Sequence, residues 1–218
     1  MDHLTIIDKI AVWAIPVLFA ITVHEVAHGY VAKLCGDKTA SRLGRLTLNP
    51  IKHIDPIGTL LVPGILVAIG GFVFGWAKPV PVNMANLRHP QRDMALVAIA
   101  GPFSNLLMAL FWAVLIKVGL LVGDSSIALS KALVYMGTAG VWINVLLCVL
   151  NILPIPPLDG SRVVSAFLPG PWAWRYNQLE PYGIFIVLGL MFLGVLSQIL
   201  LPMAESMHHF IYQLLGLN

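Results

Sequence analysis

Apolar residues along this 218-residue chain gather into five long stretches separated by polar turns, at residues 10–34, 57–74, 94–116, 132–153 and 182–201. A helix needs about 20 apolar residues to cross the hydrocarbon core, so four of the stretches read as full spans. The second is punctuated by Pro63, Gly64, Gly70 and Gly71. That pattern suits a broken, re-entrant element, which lipid tolerates only where protein or a cavity surrounds it. Residues 203–218 are weakly amphipathic and read as an interfacial helix.

Composition narrows the class. Hydrophobic residues make up 58% and charged residues only 11%, with a mean hydropathy of +0.86. A soluble globule would lack polar groups to cover its surface, and a disordered chain is apolar-poor and charge-rich. The net charge of +3 comes from dispersed cations, which fit loops that orient a membrane protein and give no sign of nucleic acid. Cys35 and Cys148 match no metal or redox spacing and read as free thiols. Asp2 and Asp8 stand where a signal peptide would be basic, so no removable leader is expected.

Ten of the thirteen Lys and Arg fall between the first and third spans or after the fourth. This asymmetry places those loops in the cytoplasm and the amino terminus outside. It also favours re-entry over a full crossing for residues 57–74, because re-entry keeps Lys33–Lys52 and Lys78–Arg92 on one side.

The chemistry concentrates in His24-Glu25-Val26-Ala27-His28. Four residues turn a helix through about 400°, so both histidines share one face. Two imidazoles so placed can bind one Zn²⁺, with Glu25 beside water at an open position. Ionisable groups inside a span cost about 2.5–3.5 kcal/mol each unless compensated, and a metal compensates three at once. A hydrolytic site needs a third protein ligand. Asp159 stands out, late in a span that descends in the same direction and just after Pro154, Pro156 and Pro157 have opened the chain. Asp55 and Asp93 are the alternatives.

The HEVAH pattern at 24–28, GPFSN at 101–105 and NILPIPPLDG at 151–160 resemble the site-2 protease family of intramembrane zinc metalloproteases, in its compact form without PDZ or CBS domains. Residues 75–83 are similar to the family's segment after the re-entrant region. The resemblance implies one zinc per chain held by His24, His28 and Asp159, Glu25 as the catalytic glutamate, and Asn151 as a polar partner near the reacting carbonyl. Asn151 is equally suited to bracing helices, and Gly101, Ser104 and Asn105 to packing the third span closely against the catalytic pair.

Alternating prolines in Lys78-Pro79-Val80-Pro81-Val82 suit an edge strand. With Lys78, Val80 and Val82 facing a substrate, the Val80 and Val82 donors would pair with an extended segment by strand addition; a Pro-rich surface loop is the plainer alternative. The expected fold is therefore an all-α polytopic membrane protein of about four transmembrane helices plus a re-entrant segment with a short β edge strand. It forms a single domain over 1–218, with a catalytic core over about 10–165 and a C-terminal span and tail over about 181–218. The implied partners are the lipid bilayer and a transmembrane or membrane-embedded peptide substrate, and the implied site is the cell membrane with chemistry towards the cytoplasm. A non-catalytic membrane zinc-binding or transport protein is the rival reading, but it leaves Glu25 without a task.

Overall fold

The computed structural model describes residues 5–62, 65, 75–123 and 125–217. Among these residues, three helices are long and apolar enough to cross a membrane: Ile10–Leu34, Pro90–Leu121 and Ile127–Ile152. The first lies within α1 (Ile6–Leu34), which opens on a capping box between Thr5 and Asp8. One turn, α2 (Thr39–Arg42), and further short turns lead to α3 (Pro90–Leu121), which a tight connection joins to α4 (Ile127–Ile152). Four helices follow: α5 (Asp159–Phe167), α6 (Gly170–Asn177), α7 (Gly183–Phe192) and α8 (Val195–Leu215).

The bundle is built on close contact between α3 and α4. Gly140 permits it, because a Cβ there would overlap the Trp112 ring. Around this contact Ala109, Trp112 and Ile116 of α3 meet Val141, Val145 and Val149 of α4, and Ala204 and Ile211 of α8 close the same core. Small residues at crossings let membrane helices approach until their backbones pack. The Lys117 ammonium donates to the Leu215 carbonyl (3.0 Å), fastening the end of α8 to α3.

The C-terminal part departs from the expected straight span and separate interfacial tail. Residues 182–201 are divided at Gly194, whose φ of 72° is left-handed, and the residues on either side belong to an element bent by 82°. The second arm, α8, runs on through the residues expected to lie at the interface and buries Ala204 and Ile211 in the core. Among the described residues, the helices long and apolar enough to cross a membrane therefore number three, or four if the bent pair is one span.

The region between α1 and α3 begins and ends on one face. The Arg88 N–H donates to the Cys35 carbonyl (3.1 Å), joining the foot of α1 to the approach to α3. Farther in, the Trp76 N–H donates to the Gly58 carbonyl (3.0 Å) and the Lys78 N–H to that of His53 (2.9 Å). These hydrogen bonds tie together the two ends of the stretch expected to be re-entrant; its interior, at 63–64 and 66–74, lies outside the described residues. The expected β edge strand is not formed. Residues 75–83 form no regular element and join no ladder among the described residues; the Lys78 donor goes to His53 and the Val80 donor to the Glu25 carboxylate.

Asp37 anchors this region. Its carboxylate, only 1% exposed, accepts from the Thr39 N–H (3.0 Å), the Thr39 hydroxyl, the Asn83 N–H (2.7 Å) and the Asn86 amide (3.0 Å). Burial alone would push the carboxyl up, but the hydrogen bonds from Thr39, Asn86 and Asn83 outweigh it and hold the group below its ordinary value of 3.8. A group depressed on folding stabilises above its unfolded pKa and stops doing so as pH falls through its folded one. Asp37→Asn is therefore expected to lower the Tm at pH 7. The gap to the unaltered protein should close as pH drops below 3.8, read by thermal unfolding in detergent across a pH series.

Candidate metal centre

Helical spacing brings His24 and His28 onto one face of α1 with their Nε2 atoms 3.0 Å apart. The third group arrives from the far end of α4. That helix stops at Ile152, the proline-rich turn reverses the chain, and Asp159 opens α5. Gly160 lets α5 begin hard against α4, since a Cβ there would overlap the Ile152 carbonyl. Asp159 Oδ2 then lies 3.2 Å from His24 Nε2 and 3.3 Å from His28 Nε2.

A tetrahedral zinc with ligand bonds of about 2.0–2.1 Å holds its ligand atoms about 3.3–3.4 Å apart. The three observed separations are close to one face of such a tetrahedron, which leaves a fourth vertex for water or substrate. The proton positions agree. His24 Nδ1 donates to Asn105 Oδ1 (2.6 Å) and His28 Nδ1 to the Val97 carbonyl (2.7 Å). In the neutral tautomers this fixes, both Nε2 atoms aim lone pairs at each other and at Asp159 Oδ2. That oxygen is buried and, among the described residues, has no hydrogen-bond partner. Three converging lone pairs repel unless a cation lies between them, and the nitrogen, nitrogen and carboxylate donor set suits zinc.

The third span is the platform behind the histidines. Gly101 faces both imidazoles, and a Cβ there would overlap them, so the expected close packing of this span is observed. Ser104 spends its hydroxyl on the Gly101 carbonyl (2.7 Å). Asn105 goes beyond packing. Its amide donates to Asn144 Oδ1 (2.9 Å) and the Ala20 carbonyl (3.3 Å), and Asn144 donates to the Gly140 carbonyl (2.8 Å). The chain His24–Asn105–Asn144–Gly140 thus locks one imidazole to the α3–α4 crossing. Sequence reasoning missed these roles. The available signal was two amide side chains inside spans that otherwise have little polarity, where an unpaired polar group is costly.

Other candidates are placed differently. Asp55 accepts from the Ile57 and Gly58 N–H groups and Asp93 from that of His89, so both carboxylates are used in capping. Asn151 donates to the Leu147 carbonyl one turn back in α4 (3.0 Å). Glu25 Oε2 accepts from the Val80 N–H (2.6 Å), a bond between residues 55 apart, and Val80 itself is buried. Lys78 donates its N–H to His53 and accepts from Arg45 at its carbonyl (2.8 Å). Val82 packs against the cluster of Ala32, Leu87, Met94 and Val97.

Comparison with known proteins supports the reading of this centre. The profile of Peptidase family M50 matches residues 12–123 and 116–194. The chain is 39% identical over 193 residues to "Putative zinc metalloprotease YwhC" of Bacillus subtilis, covering 88% of this chain and 85% of that protein. It is 29% identical over 183 residues to "Putative zinc metalloprotease Rip2" of Mycolicibacterium smegmatis, covering 83% of this chain and 66% of that protein. To the Rip2 of Mycobacterium tuberculosis it is 31% identical over 152 residues, or 69% of this chain and 55% of that one. The chain thus spans less than two thirds of the length of the Rip2 proteins. No solved structure matches it.

Removing a partner that orients a metal-bound histidine typically weakens metal binding 10–100-fold. Asn105→Ala is expected to lower Zn²⁺ affinity by about that factor with little change in helix content, measured by competition with a chromophoric chelator and by circular dichroism.

Proposed function

The chain belongs to peptidase family M50, and from that premise we propose that it is a zinc-dependent endopeptidase cutting peptide bonds in or near membrane-spanning segments. His24, His28 and Asp159 hold one zinc, and Glu25 handles the proton. The observation that carries the reading is the meeting of two imidazoles and one carboxylate at ligand spacing, among helices apolar enough to lie in a bilayer. Among the described residues this is the one cluster of its kind. A transport protein would need further polar stations along a path, so the geometry favours an enzyme.

When bound, zinc supplies Lewis acidity towards a carbonyl oxygen and makes water acidic near neutral pH. Glu25 takes the proton from the attacking water at its carboxylate and returns it to the leaving amine. The Val80 N–H holds Glu25 Oε2 in place. Asn105 and the Val97 carbonyl hold the imidazoles against rotation. We assign Asn151 to the developing oxyanion, which requires its amide to leave the Leu147 carbonyl.

A helical substrate hides its peptide groups, so it must unwind where it is cut. Residues 78–82 form no helix, and Val80 meets Glu25, which supports contact with an unwound stretch at Lys78, Val80 and Val82. In this structure the Val80 donor serves Glu25, so strand addition at that position would exchange one acceptor for another. The share of cations on the face where 36–89 begins and ends supports a cell-membrane protein with its centre towards the cytoplasm.

Purified protein in liposomes, given single-span candidate substrates, tests the central claim. Glu25→Gln is expected to keep one zinc per chain and lose about 10²–10⁴-fold in cleavage; equal product from both proteins would overturn the assignment. Val80→Pro deletes the donor to Glu25 and is expected to lower kcat at least about tenfold with zinc retained, read by metal analysis alongside initial rates.

A further inference from the structure

An apolar groove of about 360 Å³ adjoins the metal centre at the junction of α3, α4, α5 and α8. Ala98 and Pro102 of α3 and Cys148 of α4, all buried, make its floor. Val163 and Val164 of α5 form a wall, and Asp159 borders it. Phe103 and Ile152, each about half exposed, stand at the mouth on the outer surface of the bundle. No step of the proposed chemistry uses this space.

Its position on α3 is informative. Ala98 follows Val97, whose carbonyl holds His28, and Pro102 follows Gly101, which touches both imidazoles. The groove and the metal centre are therefore neighbouring faces of one short stretch of helix, with Asp159 shared between them. Through Asp159 one end of the groove lies beside the place where a peptide bond would be cut.

Size decides what can enter. A large apolar side chain from an extended segment fits. Every lining residue except Asp159 is apolar or a thiol, so a polar side chain would lose its hydration there without finding partners.

We propose that this groove is a specificity subsite that receives a leucine-, methionine- or phenylalanine-class side chain from a residue beside the cut bond. The assignment rests on the peptidase reading above. A lipid acyl chain is the competing occupant. Continuity with the metal centre through Asp159 favours the peptide, since only a residue whose backbone lies at the centre is brought to that end.

Two measurements test it. In the first, zinc-loaded full-length Glu25→Gln protein in phosphatidylcholine bilayers is irradiated with a single-span synthetic peptide carrying photo-leucine or, separately, with a phospholipid bearing a diazirine in its acyl chain. The expected result is peptide adducts on the floor residues Ala98 or Cys148. Unlabelled leucine peptide should compete at least about ten times better than its alanine counterpart, in line with the discrimination of apolar pockets. Floor labelling by the lipid that peptide does not displace, or peptide adducts confined to the mouth, would overturn the proposal.

In the second, active protein cuts a mixture of single-span peptides and the products are sequenced. The unaltered protein should show large apolar residues at one fixed position beside the cut. Cys148→Phe and Val163→Phe fill the groove from two sides, and in whichever keeps its zinc that position should shift towards alanine or glycine at least about tenfold. An unchanged profile in such a variant contradicts the proposal. Floor labelling by the peptide without cleavage by the unaltered protein removes the peptidase reading and leaves the groove as an apolar peptide site.

Discussion

Two imidazole nitrogens and a carboxylate oxygen point unshared electron pairs at a common point inside an apolar bundle, each about 3 Å from the others. Without a cation such an arrangement is repulsive, and the low dielectric of its surroundings makes the repulsion worse. With one, three groups that are individually expensive in a membrane become mutually stabilising. Much of the surrounding structure maintains that convergence. Gly101 has no side chain because the imidazoles occupy the space, and α5 can start with Asp159 only because Gly160 fits against the end of α4. The tautomers are set from behind by two oxygen acceptors on α3.

A second layer of order lies between α1 and α3. That region leaves and rejoins the bundle on one face, fastened by Asp37, the Cys35–Arg88 contact and the pairings of Gly58 with Trp76 and of His53 with Lys78. Its effect is to deliver one backbone donor, the Val80 N–H, to the Glu25 carboxylate. Proline on either side of Val80 restricts the chain there, so the donor is presented at little conformational cost. The link runs from a buried, hydrogen-bonded aspartate beyond the end of α1 to the group that handles the proton at the centre.

Local pattern made part of this legible. The His24–His28 pair follows from helical period alone, and Asp159 from three prolines that end a span on the side where the histidines lie. The close approach at Gly101 was readable for the same reason, because small residues in spans mark helix crossings. Contacts between distant residues were not legible. Nothing in the sequence states that Asn105 meets His24 across 81 residues, or that Val80 spends its donor on Glu25. The latter bond also bears on why an alternating, strand-like pattern at 78–82 forms no strand: the Lys78 and Val80 donors are taken by other partners. The break at Gly194 was hidden by uniform apolarity, which reads as one span whether or not a left-handed glycine divides it.

The most direct test of the account is X-ray absorption spectroscopy on zinc-loaded protein in a bilayer, with Asp159→Ala alongside. The account predicts one zinc bound by nitrogen and oxygen only, at about 2.0–2.2 Å, with two imidazole scattering patterns, and loss of most of the metal in the variant. Sulfur at about 2.3 Å, or an unchanged first shell and full occupancy in Asp159→Ala, would contradict it.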